Sequence, residues 1–301
     1  MLAIAFSGHE VRYVNWDRSG EEVRLIACQV IPWEREVDPF HDAARFRDMI
    51  KRILAEANEV ETTPVYLTLD AGFCHFSVLE IDPAWNVNEQ LDFIQRSRFG
   101  TDPLYASFQY PLGNCSGRYL NVDCPMVLRR AVKSALPHKS SSTHWLNIGV
   151  FSAYSYARRI VPALERGRRL FWRASEHGFD QILEIQEGTF QALHFFEREA
   201  SSVRPRTTIG NSRLQEPIMA FVEQLTKGQD ASFPEVEDVF VYLGSGGTGF
   251  LEHVMRIEQS TLSLLNPFWR WNWPEVPEAD NRFTQSAFSE LAGAVWAAEH
   301  V

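Results

Sequence analysis

Val239-Phe240-Val241-Tyr242-Leu243-Gly244-Ser245-Gly246-Gly247-Thr248-Gly249-Phe250-Leu251 runs from an apolar strand into a glycine-rich turn and out into a helix-compatible segment, Leu251 to Ile257. Gly244, Gly246, Gly247 and Gly249 fall within six residues. Glycine admits backbone conformations closed to other residues. It also lets the main chain come close to a ligand and aim N–H groups at it. A turn of this kind serves either a nucleotide or tight packing, so its meaning depends on what flanks it.

Upstream, the chain reads as one pattern used twice. Leu2 to Phe6, Val11 to Asn15 and Val23 to Ile31 are predicted strands, separated by turns at Ser7-Gly8-His9-Glu10 and Arg18-Ser19-Gly20-Glu21. An amphipathic helix over 40–58 follows, with Phe46, Met49, Ile50, Ile53 and Leu54 on one side. Leu170 to Ala174, Phe179 to Gln186 and Thr189 to Phe196 repeat the three strands, and Leu214 to Thr226 repeats the helix. The opening turns of the halves share residue types, Ser7-Gly8-His9 and Ser175-Glu176-His177-Gly178. Three strands and a helix, used twice, predict an internally duplicated α/β fold.

Between the halves lie strands at 65–69 and 74–81, a helix over 87–99, strands at 107–112 and 118–122, and a helix from Pro125 to Leu136. Residues 138–143 read as a loop, 147–165 as mainly helical, 200–210 as a proline-containing loop and 284–300 as a closing helix.

Composition narrows the function. The chain has 301 residues, 45% of them hydrophobic and 23% charged, enough for a core and two lobes. Its net charge of −10 argues against nonspecific nucleic-acid binding and against attraction to an anionic membrane surface. No apolar run approaches the roughly 20 residues of a membrane span, and the first residues lack a basic leader. Cys28, Cys74, Cys115 and Cys124 form no C-x-x-C pair, which fits reduced thiols and a cytoplasmic location. None of the nine histidines forms a metal-type pair, so no metal site is predicted.

The order of these segments resembles the actin-like, ribonuclease H-like duplicated ATPase fold. More narrowly, it resembles the PilM family of type IV pilus assembly and the cytoplasmic part of the type II secretion protein GspL. Residues 2–14 resemble that family's first strand, phosphate turn and second strand. Residues 170–198 resemble the second phosphate hairpin, Tyr242 to Gly247 the adenosine turn, and Asn266-Pro267-Phe268 with 288–298 the closing element. The resemblance implies two lobes, 1–80 with 139–168 and then 169–301, and a small inserted subdomain over 81–138. It also implies nucleotide contacts from Ser7, Gly8 and His9, from Glu176, His177 and Gly178, and from Gly244, Ser245, Gly246 and Gly247. The implied partner is a cytoplasmic segment of an inner-membrane assembly protein of the PilN type, bound between the first lobe and the insert. The protein would then be cytoplasmic or peripheral at the inner membrane, and a homo-oligomer is allowed.

Departures from the family pattern weaken the ATPase expectation. Active members carry Asp and Gly in the first turn; here Ala5 and Ser7 stand in their places. Mg²⁺ prefers oxygen ligands beside substrate phosphates, and alanine offers none. In the second turn the family's Asp-x-Gly becomes Glu176-His177-Gly178. Phosphoryl transfer rests on positioning and electrostatics, so loss of the metal-side acid harms hydrolysis more than binding. The expectation is therefore a scaffold with weak or lost binding of ATP and Mg²⁺ and no catalytic residue. The competing expectation is an active ATPase or a sugar-kinase-like phosphotransferase, with Asp180 as the only nearby candidate base.

Several residues carry bland readings beside functional ones. His9 and His177 read as hydrated turn residues or as a clamp on phosphate. Glu176 reads as a solvated carboxylate or a surviving metal-side acid. Trp269, Trp271 and Trp273 sit on one face if extended, as a partner patch or a lid. Arg166, Arg168, Arg169 and Arg173 read as a solvated face or surface-strand ends, beside a role toward phosphate or an acidic partner. Ser245 has no Gly-x-Ser-x-Gly elbow around it, and no Walker A sequence occurs.

Overall fold

Two sheets with the same strand order, one from each half of the chain, form the frame of the protein. The structure, a computed structural model, describes all residues except 20–21, 58–63, 83, 85, 100–103, 113–116, 137–144, 162–163, 200–201, 232, 258–260, 271–281 and 299–301.

In chain order, the first half holds β1 (Leu2–Phe6), β2 (Glu10–Ser19), β3 (Glu22–Pro32), α1 (Ala43–Glu56) and β4 (Val65–Leu69). These are followed by β5 (His75–Glu80), α2 (Val87–Phe99), β6 (Tyr105–Pro111), β7 (Arg118–Pro125), α3 (Met126–Ala135), β8 (Trp145–Ile148) and α4 (Gly149–Ile160). The second half holds β9 (Arg168–Ser175), β10 (Asp180–Gln186), β11 (Thr189–Arg198), β12 (Val203–Gly210) and α5 (Gln215–Thr226). It ends with β13 (Asp238–Ser245), α6 (Gly249–Val254), β14 (Leu262–Leu264), α7 (Arg282–Ser286) and α8 (Ser289–Ala298).

The first sheet runs β3-β2-β1-β4-β8 and the second β12-β11-β10-β9-β13-β14. In each, an antiparallel three-strand meander is extended by two parallel strands, β4 and β8 beside β1, and β13 and β14 beside β9. The duplication expected from the sequence is present, with β12 as an added edge. A third, small sheet, β5-β7-β6, joins the residues after β4 to the middle of the chain.

The sequence of β1 shows why it is central. Its period of two sends Leu2, Ile4 and Phe6 to one side, in a cluster with Phe46, Ile50 and Ile53 of α1 and Leu128 and Val132 of α3. Ala3 and Ala5 face the other way, in a cluster with Val241, Phe288 and Leu291. Small side chains on that face let α8 lie against β1 and β4 while packing along α4. Each large apolar side chain so buried contributes about 1.5–3 kcal/mol.

Three strands escaped the sequence reading. β8 is four residues long and its last two fall in the stretch read as mainly helical, and β14 has three residues. β12 was read as a loop because it carries Pro205 and is largely exposed; it lies at the sheet edge, where proline costs no interior ladder bond. Residues 267–270 form a 3-10 turn rather than an extended strand, while Trp271 and Trp273 lie outside the described residues. The loop read at 138–143 also lies outside them. Among the described residues, no helix is long and apolar enough to cross a membrane.

Candidate functional site

The first turn joins β1 to β2 and closes on itself. Ser7 is buried, and its hydroxyl accepts from the N–H groups of His9 (3.4 Å) and Glu10 (3.1 Å) and donates to the Glu10 carbonyl (3.0 Å). Local bonds of this kind are what a serine offers a turn and a glycine does not. They occupy N–H groups that an open phosphate turn would present.

The second turn joins β9 to β10. It is held from below by Asp180, which is 1% exposed, accepts from Ser175 N (2.6 Å) and Trp172 Nε1 (3.2 Å), and pairs with Arg198. Burial raises the Asp180 carboxyl above the usual range even with Arg198 beside it. This acid anchors the hairpin. Glu176, one residue past β9, reaches across to the glycine turn and accepts from Gly247 N at 2.7 Å.

The glycine turn follows β13. Gly246 has φ of +84°, and a Cβ there would come within 2.7 Å of the Glu176 Cβ, so glycine is required twice over. Its N–H points at the Glu10 carboxylate, 3.3 Å away. Ser245 is buried and donates to the His177 carbonyl (2.8 Å), tying the second and third turns together. The helix beyond, α6, has six residues and ends at Val254, short of the Ile257 expected, too short for a strong terminal dipole.

Beneath the turns lies a charge cluster that the sequence reading missed. Arg12 of β2 is 2% exposed and binds Glu10 (2.7 Å) and the carbonyls of Leu243 (3.1 Å), Ala287 (2.8 Å) and Gly244. Arg173 of β9 is also 2% exposed. It pairs with Glu290 of α8 (2.7 Å) and with Asp70 after β4 (3.0 Å), and donates to Ser175 Oγ (3.0 Å) and Gly244 O (2.9 Å). A register shift between Leu243 and Ser245 marks Gly244, whose carbonyl receives both guanidinium groups. A Cβ on Gly244 would stand 2.3 Å from Ser175 Oγ and 2.7 Å from Arg173 Cγ, so no larger residue fits.

This corrects the solvated reading of the arginines for two of the four. Arg173 is sealed in, and Arg169 is buried and paired with Glu237 (3.0 Å) and Asp238 (2.9 Å). The missed signal was alternation: Arg169 and Arg173 lie on β9, whose other residues through Ser175 are mostly buried.

The electrostatics of the cluster are self-consistent. Burial acts to raise the Glu10 carboxyl, but the Arg12 guanidinium outweighs it and holds the group below its ordinary range. Burial acts to lower Arg173, but Asp70 and Glu290 outweigh it and hold the guanidinium protonated. Tyr242 donates to Glu290 (3.0 Å); burial and that carboxylate push its phenol well above the usual range. Among Ala5, Ser7, Glu10, Arg12, Arg173, Gly244 and Glu290, no space is wide enough to hold a water.

Outside this plug lies a cavity of about 550 Å³. It is lined by Gly8 and His9, residues 36–40, Asp70, residues 72–75, His177 to Phe179, and Gln181. The turn histidines do meet there: the rings of His9 and His177 are 5.2 Å apart between centroids, and His9 Nε2 lies 3.7 Å from Glu36. A second cavity, about 400 Å³, lies between the small sheet and α4. Tyr110, Leu120, Val122, Ile148, Phe151, Tyr154 and Phe190 supply its apolar lining.

No protein-family model matches the chain, and no curated protein matches it. Among solved structures, a PilM–PilN type IV pilus biogenesis complex is similar at TM-score 0.60 and 14% identity, covering 98% of this chain and 97% of that one. A Bacteroides thetaiotaomicron protein with an actin-like ATPase fold aligns at TM-score 0.46 and 9% identity over 98% and 95% of the two chains. The cytoplasmic domain of EpsL, an inner-membrane component of the Vibrio cholerae type II secretion system, aligns at 0.45 and 11% over 98% and 94%.

The fold is that of the actin-like ATPases. The assignment rests on the first of these structures and on the duplicated strand order.

The three turns, at 7–9, 176–178 and 244–247, lie against one another. As arranged, their residues do not fit Mg²⁺-bound ATP. Ala5 supplies no carboxylate, Ser7 takes the His9 and Glu10 N–H groups of the first turn, and Glu10 and Glu176 sit on N–H groups of the third. Both buried guanidiniums are already neutralised by carboxylates. Among the described residues, no three His, Cys, Asp or Glu side chains come together in a metal-holding group.

Proposed function

We propose that this chain is a non-catalytic actin-like scaffold whose nucleotide cleft has been replaced by an internal ion-pair plug. It would act in the cytoplasm as part of a type IV pilus or type II secretion assembly platform. One observation carries the proposal: protein carboxylates and a serine hydroxyl occupy N–H groups on two of the three turns, over a floor with no water-sized space. An ATP triphosphate brings only acceptors and negative charge, and here it would have to displace Glu10 and Glu176. The phosphotransferase alternative has no support in Asp180, which is sealed inside the second lobe by Arg198.

The similarity to a PilM–PilN type IV pilus biogenesis complex supports a protein partner, and the partner proposed is a membrane protein that offers a short cytoplasmic peptide. The 400 Å³ cavity between the small sheet and α4 is the groove proposed for it, between the first lobe (1–80 and 139–168) and the insert (81–138). Its apolar walls, with Arg158 and Asn147 at hand, suit an extended peptide with alternating apolar side chains. Fluorescence anisotropy tests this, using labelled peptides from the cytoplasmic termini of membrane proteins encoded beside this gene. Saturable binding that Phe151→Glu lowers at least tenfold supports the reading; no binding by any such peptide overturns it.

A further inference from the structure

Two cysteines meet where the chain enters and leaves the small sheet. The β5–β7 ladder begins with His75 opposite Asp123. One residue before β5 stands Cys74, its backbone already extended at φ −115° and ψ 151°. Antiparallel register sets it opposite Cys124, which still belongs to β7. Residues directly opposite in such a pair have Cα atoms about 4.5–5.5 Å apart, and a disulfide spans about 4.4–6.8 Å. Both side chains enter the core cluster that holds Leu120 and Val122, so they share one face of the sheet. The two thiols are free and hydrogen-bonded to each other. Their access to solvent differs. Cys74 is 9% exposed and lines the 550 Å³ cavity beside Gly72, Phe73 and His75, whereas Cys124 is 1% exposed behind it. A small oxidant therefore reaches Cys74 first and finds a second thiol in contact with it, the arrangement of an attacking and a resolving cysteine.

We propose that Cys74 and Cys124 form a reversible dithiol–disulfide pair, oxidised by hydrogen peroxide through the cleft-mouth cavity, that locks the small sheet where it joins the rest of the chain. The Cys74 thiolate attacks one peroxide oxygen, the O–O bond breaks, and hydroxide leaves and is protonated to water, so Cys74 becomes a sulfenic acid. The Cys124 sulfur then attacks the Cys74 sulfur, the S–O bond breaks, and a second water leaves. Two thiols and one peroxide thus give one disulfide and two waters, with two electrons passing from sulfur to oxygen. A dithiol reductant restores both thiols by exchange. Cys74 directly follows the Asp70–Phe73 turn by which the chain leaves β4, and Cys124 lies just before α3, which packs on α1. The covalent link joins these entry and exit points and closes a loop of about 50 residues. In a reducing compartment the pair rests as thiols and closes only under oxidant. Burial and the mutual hydrogen bond favour the neutral Cys74 thiol, so closure is slow at neutral pH and quickens as pH rises. The proposal does not depend on the scaffold reading or on the peptide groove.

Peptide mapping without reductant tests it on the full chain, treated with hydrogen peroxide and then with iodoacetamide in urea. The expected product is a Cys74–Cys124 linked peptide that forms at least tenfold faster at pH 9 than at pH 7 and is lost on adding dithiothreitol. Closing the loop raises Tm by about 5–10 °C. Dithiothreitol, which does not restore oxidised methionine, reverses that rise. Cys124→Ser abolishes the link and the rise and leaves a sulfenic acid on Cys74 that dimedone traps, whereas Cys28→Ser keeps both. The wild-type map needs no variant, so the test stands even if Cys124→Ser misfolds. Overoxidation of Cys74 with no link, a link to Cys28 or Cys115 in place of Cys124, or a Tm that the link does not raise overturns the proposal.

Discussion

Replacing Arg173 with Met removes the cation that joins β9 to both β4 and α8. In the native protein its guanidinium lies 2.7 Å from Glu290 and 3.0 Å from Asp70, with its side chain 2% exposed. At an effective dielectric of about 20, each such pair attracts by roughly 5–6 kcal/mol. Desolvation of each ion costs several kcal/mol in return, so the intact cluster adds little net stability. The variant is different: Glu290, with 3% of its side chain exposed, and Asp70 are left without their cation. A stranded buried charge of this kind costs about 3–5 kcal/mol. For a chain of this size that is a fall in Tm of about 6–15 °C, taking roughly 2–3 °C per kcal/mol. The double variant Arg173→Met with Glu290→Met removes both charges and recovers at least half of the loss, the signature of a coupled pair. Urea unfolding followed by tryptophan fluorescence and circular dichroism measures both. If Arg173→Met costs less than about 1 kcal/mol, or the double variant is no more stable than the single, the plug is not the ion-paired core described here.

Further outcomes follow from the same geometry. Glu10 titrates below its unfolded value of 4.5, so its ionised form contributes stability above about pH 4.5 that is lost as pH falls through the lowered pKa. Glu10→Gln should therefore flatten the decline of Tm below pH 4.5; an unchanged slope contradicts the assignment. Glu176→Gln alters a bond to Gly247 on the exposed surface and should change stability by no more than about 0.5 kcal/mol; a loss above about 2 kcal/mol would mean the turn depends on it. The Cys74 thiol is pushed well up by its hydrogen bond to Cys124 and by burial, and it is the thiolate that reacts. Peptide mapping after iodoacetamide at pH 8 should show Cys74 alkylated at least tenfold more slowly in the native protein than in urea, and equal rates would refute this.

The sequence carried the architecture further than the site. Period-two alternation in Leu2-Ala3-Ile4-Ala5-Phe6 and the repeated meander made the duplicated sheets legible, because strand patterning reflects burial on both faces. The three turns were also legible, since Ser7-Gly8-His9, Glu176-His177-Gly178 and the glycine run announce sharp chain reversals. Edge strands such as β12 were not, because an exposed strand with Pro205 lacks the apolar pattern that marks a buried one. The plug was invisible for a different reason. Arg12, Asp70, Arg173 and Glu290 lie far apart in the chain, and only the packing of α8 and β13 against the first sheet brings them together. Ala5 and Ser7 stand out in the sequence only as departures from the pattern that the resemblance implies. They could not reveal that Glu10 and Glu176 accept from the N–H groups of Gly246 and Gly247.

Titration calorimetry of the wild-type protein with ATP, with and without Mg²⁺, tests the central claim most directly. The ion-pair plug predicts no saturable heat up to about 1 mM nucleotide, with or without metal. Mg²⁺-dependent binding with a Kd below about 100 μM would contradict it, because the triphosphate would then have displaced Glu10 and Glu176 from the turns they now hold.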